Sequence, residues 1–274
     1  MRVQTEEWRR FIPGVRMYKG KKTLFYNGEE LWGEYDGSVE EVDPFIYDWE
    51  ERYSWEAIIV LPGVEEIPHR TFRYCVNVKT VVMSDSVEWI GPFAFSVCLR
   101  LVFVKLSRNL QYMSAHAFQN CESLPSIFIP PSCGEIEDNA IISCHKLIIF
   151  NVPQHTHLGE GVIEDTALIK ASPFEVDEDE EFNDHYEVNQ WVKNINTGRE
   201  YSLHRICCST YENEDLPISE SVYETVKEQG PQILQAKNKI GITPLKYLKE
   251  NPYLENLDEM KLLKRYIAEK MGLD

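Results

Sequence analysis

A fixed period of 23 residues constrains this chain more than any other feature of its sequence. Cysteines recur at that interval, as Cys75, Cys98, Cys121 and Cys144. The same phrase surrounds each of them, and its clearest copy is Ile90-Gly91-x-x-Ala94-Phe95-x-x-Cys98-x-x-Leu101-x-x-Val104-x-Leu106. A single unit of this length cannot bury its apolar face, so neighbouring units must stack on one another. The period therefore predicts a solenoid.

Each unit has two parts with different spacing of its apolar residues. The Leu-x-x-Val-x-Leu part alternates at its end, which is typical of a strand with one buried side. The Gly-x-x-Ala-Phe-x-x-Cys part predicts a short helix or a run of turns. Stacked strands pair in parallel at about 4.8 Å. Equivalent residues then form ladders, two of which are Val81, Val104, Ile127 and Phe150, and Phe72, Phe95, Phe118 and Ile141.

The repeated phrase resembles the BspA-like class of leucine-rich repeats, whose units read I-G-x-x-A-F-x-x-C-x-x-L-x-x-V-x-I-P. Ile129-Pro130 and Val152-Pro153 match even the terminal Ile-Pro of that phrase. The resemblance covers residues 55–174 and implies a leucine-rich-repeat solenoid, an α/β fold with a parallel β ladder and short helices or turns. It also implies a binding role and no enzymatic activity.

The segments on either side of the repeats differ in composition. Residues 1–54 are rich in aromatic side chains and glycine, and we expect them to cap the first open edge of the solenoid core. Residues 175–187 contain a run of acidic residues, which predicts a solvated linker. Residues 188–253 return to a helical period, and residues 254–274 form one further amphipathic helix in this interpretation.

A short motif in the helical region suggests a second repeat type. In Gly241-Ile242-Thr243-Pro244-Leu245-Lys246-Tyr247-Leu248, the threonine is placed to cap a helix and the proline to follow at its first turn. The octet is similar to the G-x-T-P-L-H-x-A signature of ankyrin repeats, although Lys246 and Leu248 replace histidine and alanine. A weaker copy lies at 201–207. Two copies are too few for a free-standing array, so we predict an all-α ankyrin-like region that packs against the solenoid's end. The overall order of segments is similar to a group of diatom leucine-rich-repeat proteins.

Charge and cysteine usage limit the partners and the compartment. The formal net charge is −17, which argues against nucleic acid and anionic membranes as primary partners. The first ten residues lack the apolar centre of a secretory signal, and no apolar run approaches the length of a membrane span. The seven cysteines do not resemble an extracellular disulfide framework. We therefore expect an intracellular, cytoplasmic protein with reduced thiols.

The sequence contains no strong catalytic or cofactor motif. A phosphate loop, a His-Glu-x-x-His pair and a nucleophile elbow are all missing from it. The cysteine ladder suggests metal or redox chemistry, but buried thiols also pack as small apolar groups, which we favour. His155 and His157, with Cys144-His145 one strand away, sketch a zinc site in an ordinary polar turn. We predict no metal and no cofactor. An enzyme or metal-dependent protein with a site assembled from dispersed residues is the alternative.

The predicted function is non-catalytic binding of another protein through the outward face of the strands. Side chains between the ladder positions must point away from the core, because successive residues of a strand face opposite sides. Several of them are apolar, and they suggest a diagonal strip flanked by two cations, which comprises Ile59, Val82, Phe103, Phe128 and Ile149 with Lys105 and Arg108. The alternative is that the N-terminal segment or the helical tail folds over this strip.

Overall fold

The computed structural model describes residues 14–18, 21–28, 53–173, 185–195, 202–209 and 218–253. The amphipathic helix predicted over 254–274 lies outside this part of the chain, as do residues 175–184 of the predicted acidic linker. The last three residues of that linker, 185–187, belong instead to the helix His185–Asn194. Of the predicted N-terminal cap, residues 14–18, 21–28, 53 and 54 are described.

Two parallel ladders of strands form the solenoid. The longer ladder has the order β1-β2-β3-β5-β7, made of Gly14–Tyr18, Lys21–Tyr26, Ala57–Val60, Thr80–Met83 and Phe103–Lys105. Its pairs are parallel except β1 with β2, which is antiparallel. A two-stranded parallel sheet follows, with β9 (Ser126–Phe128) beside β11 (Ile149–Asn151). The shorter ladder has two-residue strands in the order β12-β10-β8-β6-β4, made of His157–Leu158, Glu135–Ile136, Tyr112–Met113, Trp89–Ile90 and Glu66–Ile67.

The register of the strands places each repeat position beside its copy one unit later. Val81 lies opposite Val104, and Ile127 lies opposite Phe150. Both predicted ladders are buried, and the four members of the second are each 0% exposed. The prediction of a leucine-rich-repeat solenoid is therefore confirmed, as a parallel β-solenoid of about four turns followed by a small helical region.

The segment between the two strands of each repeat is a run of turns. Two residues per unit adopt a left-handed conformation, such as Phe93 with φ 56° and Val97 with φ 64°. These turns form backbone hydrogen bonds within their own unit and also to the next unit, where the Phe95 amide donates to the Ala117 carbonyl at 2.8 Å. Gly91 is required because a Cβ there would lie 2.9 Å from both the His69 nitrogen and the Ile67 oxygen. A longer helix would not satisfy these bonds between units.

Stacked phenylalanines and cysteines form the centre of the core. The rings of Phe95 and Phe118 stack with centroids 5.0 Å apart and an interplanar angle of 7°. The cysteines lie behind them, and the Cys121 Sγ donates to the Phe95 carbonyl oxygen at 3.3 Å. All seven cysteines are buried and free. Burial raises the pKa of the Cys121 thiol well above its ordinary value, so these thiols are packing groups as predicted.

The C-terminal region is helical. Its helices are α1 (Ala167–Lys170), α2 (His185–Asn194), α3 (Ser202–Cys208), α4 (Ile218–Gln229) and α5 (Pro244–Glu250), with a 3₁₀ helix at Pro231–Gln235. Thr243 caps α5 as expected, since its side chain accepts a hydrogen bond from the Lys246 amide and Pro244 follows in the first turn. The Nε2–H of His204 donates to the carbonyls of Ala236 and Ile242, at 3.1 and 3.0 Å. These bonds fix α3 to the loop that precedes α5.

The helical region packs on the two-stranded sheet of β9 and β11. Phe128 and Ile149 join the apolar cluster of the helices, which includes Leu203, Cys207 and Tyr247. A polar contact crosses the same boundary. The side-chain amide of Asn151 donates a hydrogen bond to the Cys208 carbonyl at 2.9 Å. The solenoid and the helices therefore share a core at this boundary.

Candidate protein-binding surfaces

The structure covers one end of the predicted apolar strip. Phe128 and Ile149 are each 1% exposed beneath the helical region. Our expectation that these two side chains face solvent is wrong. The physical reason is that two apolar residues at the end of an open sheet face are shielded from water by the nearest apolar helices, here α3 and α5.

The other end of the strip is also covered. Ile59 is 9% exposed and packs in a small cluster with Phe25 and Leu61. The expectation of exposure is wrong here too, because β2 lies beside β3 and supplies the outward-facing Phe25 directly opposite Ile59. An apolar contact between neighbouring residues on one face of a sheet reduces the exposure of both side chains and stabilises the pair.

The middle of the predicted strip stays partly exposed. On β5 and β7, Thr80 lies opposite Phe103 and Val82 lies opposite Lys105, and all four side chains are partly exposed. Val102, just before β7, is 47% exposed. We call the block of Thr80, Val82, Phe103 and Lys105 the strand-face patch.

The two cations predicted beside the strip both contact the C-terminal region. The Lys105 Nζ and the Arg108 guanidinium lie 5.8 and 5.9 Å from the centroid of the Tyr253 ring. The Tyr253 hydroxyl donates to the Leu106 carbonyl at 3.0 Å, and burial raises the pKa of that hydroxyl well above its usual range. Arg108 also lies 3.9 Å from a carboxylate oxygen of Asp85. Lys105 and Arg108 therefore help to hold the tail at the border of the strand-face patch.

A second surface, which the sequence reasoning missed, lies on the shorter ladder. Trp89 is 45% exposed, and its ring centroid lies 4.5 Å from that of Tyr112 on the neighbouring strand. The Trp89 Nε1–H donates to the Ser114 hydroxyl at 3.1 Å. The Tyr112 hydroxyl donates to the Glu137 carboxylate, whose other oxygen accepts from the Ala115 amide at 2.7 Å. Burial, together with Glu137, raises the pKa of Tyr112 well above its usual range.

Exposed carboxylates flank this aromatic pair on both sides. Glu66 lies opposite Trp89 on β4, and Glu135 lies opposite Tyr112 on β10. Glu65 and Glu88, in the adjoining loops, are exposed as well. Among the described residues, no lysine or arginine forms an ion pair with any of these four carboxylates, whereas Glu56 and Asp85 on other faces do have such partners. We call Glu66, Trp89, Tyr112 and Glu135 the aromatic–acidic row. The row could have been found in the sequence, because its four members each stand directly before Ile90 or its equivalent in another repeat.

A third cluster lies on the turns between the ladders. The rings of Phe93 and His116 stack with centroids 4.7 Å apart, and the guanidinium groups of Arg70 and Arg73 lie 5.5 and 5.2 Å from the Phe93 centroid. Burial lowers the pKa of His116, and Arg73 lowers it further against the opposing effect of Asp138. These contacts are internal to successive turns and hold the turns together.

The histidines and cysteines suggested for a zinc site are not brought together. Cys144 is buried with its Sγ donating to the Phe118 carbonyl at 3.2 Å, while His155 and His157 are exposed. The His145 ring is hydrogen bonded to Asp165 at 2.9 Å. Within the described ranges, no three His, Cys, Asp or Glu side chains are grouped to bind a metal ion.

Comparison with known protein families agrees with this geometry. Residues 51–175 match the model described as a BspA type leucine rich repeat region, in six copies. These residues are a BspA-type leucine-rich-repeat region. Proteins built from such regions typically bind other proteins. No curated protein is significantly similar to the chain.

Several solved leucine-rich-repeat proteins are similar to part of the chain. One from T. pallidum is 30% identical over 41% of this chain and 56% of its own, with a TM-score of 0.40. A leucine rich cell surface protein from Faecalibacterium prausnitzii is 28% identical over 38% of this chain and 31% of its own, with a TM-score of 0.33. A leucine-rich repeat protein from Eubacterium ventriosum is 27% identical over 37% of this chain and 27% of its own, with a TM-score of 0.34. The chain thus spans about half or less of these proteins. The comparisons support neither the ankyrin nor the diatom resemblance.

Proposed function

We propose that this protein is a non-catalytic module that binds another protein through the strand-face patch. The observation that carries the proposal is the contrast along one sheet face. Val82 and Phe103 stay partly exposed, although the apolar residues on either side, Ile59 and Phe128, are buried by other parts of the same chain. Neighbouring apolar side chains left open on one face are a candidate contact surface.

The border of the patch favours a protein partner. Val82 and Phe103 supply apolar area, Thr80 supplies a hydroxyl, and Lys105 supplies a charge at the edge. An apolar centre with a polar rim is the usual composition of a protein interface. Aromatic anchors such as Phe103 typically contribute most of the binding energy in such an interface.

The charge of the chain bears on the class of its partner. The net charge of −17 supports a protein rather than nucleic acid or an anionic membrane as the partner. Within the described residues, no helix is both long and apolar enough to cross a bilayer. A cytoplasmic location and the ankyrin-like character of the helical region stay predictions.

The test is affinity purification of the full chain followed by mass spectrometry. The chain is compared with a variant that carries Val82→Thr and Phe103→Gln. Tyr186→Gln is the matched control, because Tyr186 is 73% exposed on α2, away from the strand face. We expect the proteins that the unchanged chain enriches to be retained by the control and reduced at least tenfold by the double variant. Equal enrichment by all three proteins, at equal melting temperature, would show that the patch is not the binding surface.

A further inference from the structure

We propose that the aromatic–acidic row of the shorter ladder is a second docking surface, which takes an extended peptide segment bearing alternate lysine or arginine residues. The inference goes beyond the strand-face patch, since the row belongs to a different ladder of the solenoid. It combines three observations, which are an exposed aromatic pair, carboxylates on both sides of it that pair with no lysine or arginine of the described segments, and a fixed spacing between them.

The aromatic pair is built to present its ring faces. The polar atoms of both rings are already bonded inside the protein, Trp89 to Ser114 and Tyr112 to Glu137. Trp89 is nevertheless 45% exposed, although indole is among the largest apolar side chains. The polar atoms therefore do not need a bound partner. The face of an aromatic ring attracts a cation, and tryptophan is the best of the aromatic residues for this contact. Because internal hydrogen bonds hold the rings, little side-chain entropy is lost on binding.

The charges around the pair select a cationic occupant. Glu66 and Glu135 lie at either end of the row, and no described lysine or arginine forms an ion pair with them. An anionic surface on a chain of net charge −17 repels acidic segments and steers basic ones toward it. Flanking carboxylates also strengthen the attraction between a cation and an aromatic ring.

The spacing of the row fits an extended chain. Neighbouring strands lie about 4.8 Å apart, so the three ladder steps from Glu66 to Glu135 span about 14 Å. Side chains on one side of an extended peptide recur about every 6.7 Å, so the first and fifth residues are about 13 Å apart. A cation at each of these positions reaches Glu66 and Glu135, and the third residue then lies over the Trp89–Tyr112 pair. The occupant is thus a segment of the form basic-x-basic-x-basic.

The test uses synthetic peptides and the full chain in a calorimetric titration. The probe is acetyl-Lys-Thr-Lys-Thr-Lys-amide, and its matched control, acetyl-Lys-Lys-Lys-Thr-Thr-amide, has the same charge with the wrong spacing. We expect the alternating peptide to bind at least fivefold more tightly than the control. We also expect its affinity to fall with added salt, because the exposed carboxylates are screened.

Three variants locate the site. Trp89→Ala is expected to weaken binding of the alternating peptide about tenfold, as loss of a cation–π contact and its apolar area predicts. Glu135 is exposed, so Glu135→Gln is expected to keep the fold and to weaken binding of the alternating peptide about threefold. Glu160→Gln, which removes a charge from an exposed residue outside the row, is expected to change it less than twofold.

Several results would overturn the inference. One such result is equal affinity for the two peptides, and another is that neither peptide binds. A third is that Glu135→Gln and Glu160→Gln weaken binding of the alternating peptide equally. Trp89-dependent binding of neutral glycans without binding of the basic peptide would identify the aromatic pair as a carbohydrate platform instead. Dimerisation that Glu135→Gln abolishes, without peptide binding, would assign the row to a second copy of this chain. Phe103→Gln serves as a cross-check, because it is expected to leave peptide binding unchanged, so failure of the strand-face proposal is distinguishable from failure of this one.

Discussion

Replacing Phe128 by alanine tests how the helical region is held on the solenoid. Phe128 is 1% exposed and packs among residues of α3 and α5, including Leu203 and Tyr247. The ring connects two parts of the chain that are separated by the acidic segment. We expect Phe128→Ala to weaken both the overall stability and the docking of the helices.

The size of the effect follows from the burial of the ring. A fully buried aromatic side chain removes about 150–250 Å² from water, which at about 25 cal/mol per Å² corresponds to about 4–6 kcal/mol. Measured losses on replacing buried phenylalanine by alanine are about 3–5 kcal/mol. The two ranges overlap at about 4–5 kcal/mol, which is the expected loss in the free energy of unfolding.

The assay needs a global and a local measurement. Urea unfolding followed by circular dichroism gives the free energy, and amide hydrogen exchange of α3 and α5 reports whether these helices stay docked. Phe103→Ala is the matched control, because Phe103 lies on the same face but is only partly buried. We expect the control to lose about 1–2 kcal/mol, in proportion to its smaller burial, and to leave helix exchange unchanged. Losses below about 1 kcal/mol for Phe128→Ala, with unchanged exchange in α3 and α5, would refute the shared core.

Three further predictions concern the repeats themselves. Cys98→Ser and Cys121→Ser should each reduce the free energy of unfolding by about 1–3 kcal/mol, because a hydroxyl replaces a buried thiol. Stoichiometric zinc found by elemental analysis, or a disulfide found by mass spectrometry, would contradict the packing role of these cysteines. Val97→Asn should raise the melting temperature, with a gain of up to about 1 kcal/mol, because Val97 has φ 64° and asparagine tolerates that conformation. The reverse change at the equivalent position, Asn120→Val, should lower it by a similar amount. The free energy of unfolding of the chain should fall, relative to that of a His116→Phe variant, as the pH drops below about 6.5. The pKa of His116 is lowered in the folded chain, so below that pH the unfolded chain binds the proton more readily than the folded one. A pH-independent difference in unfolding free energy would exclude this linkage.

The row that carries Trp89 and Tyr112 shows why the sequence did not reveal every surface. Along the chain these residues are 23 positions apart, each beside a strongly apolar residue, so neither stands out in its own segment. Stacking of the repeats brings their rings within 4.5 Å and places Glu66 and Glu135 beside them. The four residues of the row occupy one repeat position, the one before Ile90 and its equivalents. The repeat pattern alone does not show that side chains at this position are exposed, because this depends on which side of each turn faces water.

The prediction of an exposed strip along the whole strand face was wrong for a different reason. Alternation within each strand correctly separated inward Val81 and Ile127 from outward Val82 and Phe128. It could not tell which outward residues meet other parts of the chain, because contacts between distant segments leave no local periodicity. Phe128 points outward from its strand and is still buried, since α3 and α5 lie over it.

The sequence by itself determined the solenoid, its 23-residue period, the ladders of phenylalanine and cysteine in its core, and the capped start of α5. These features follow from short-range rules, which are the spacing of apolar residues and the conformations that Thr-Pro prefers. Only the tertiary structure decided which side chains outside the core reach solvent. That outcome depends on how β1 and β2 pair with the first repeat strand and how the C-terminal helices pack on β9 and β11. This packing reduces the apolar surface of the whole chain rather than of any one repeat.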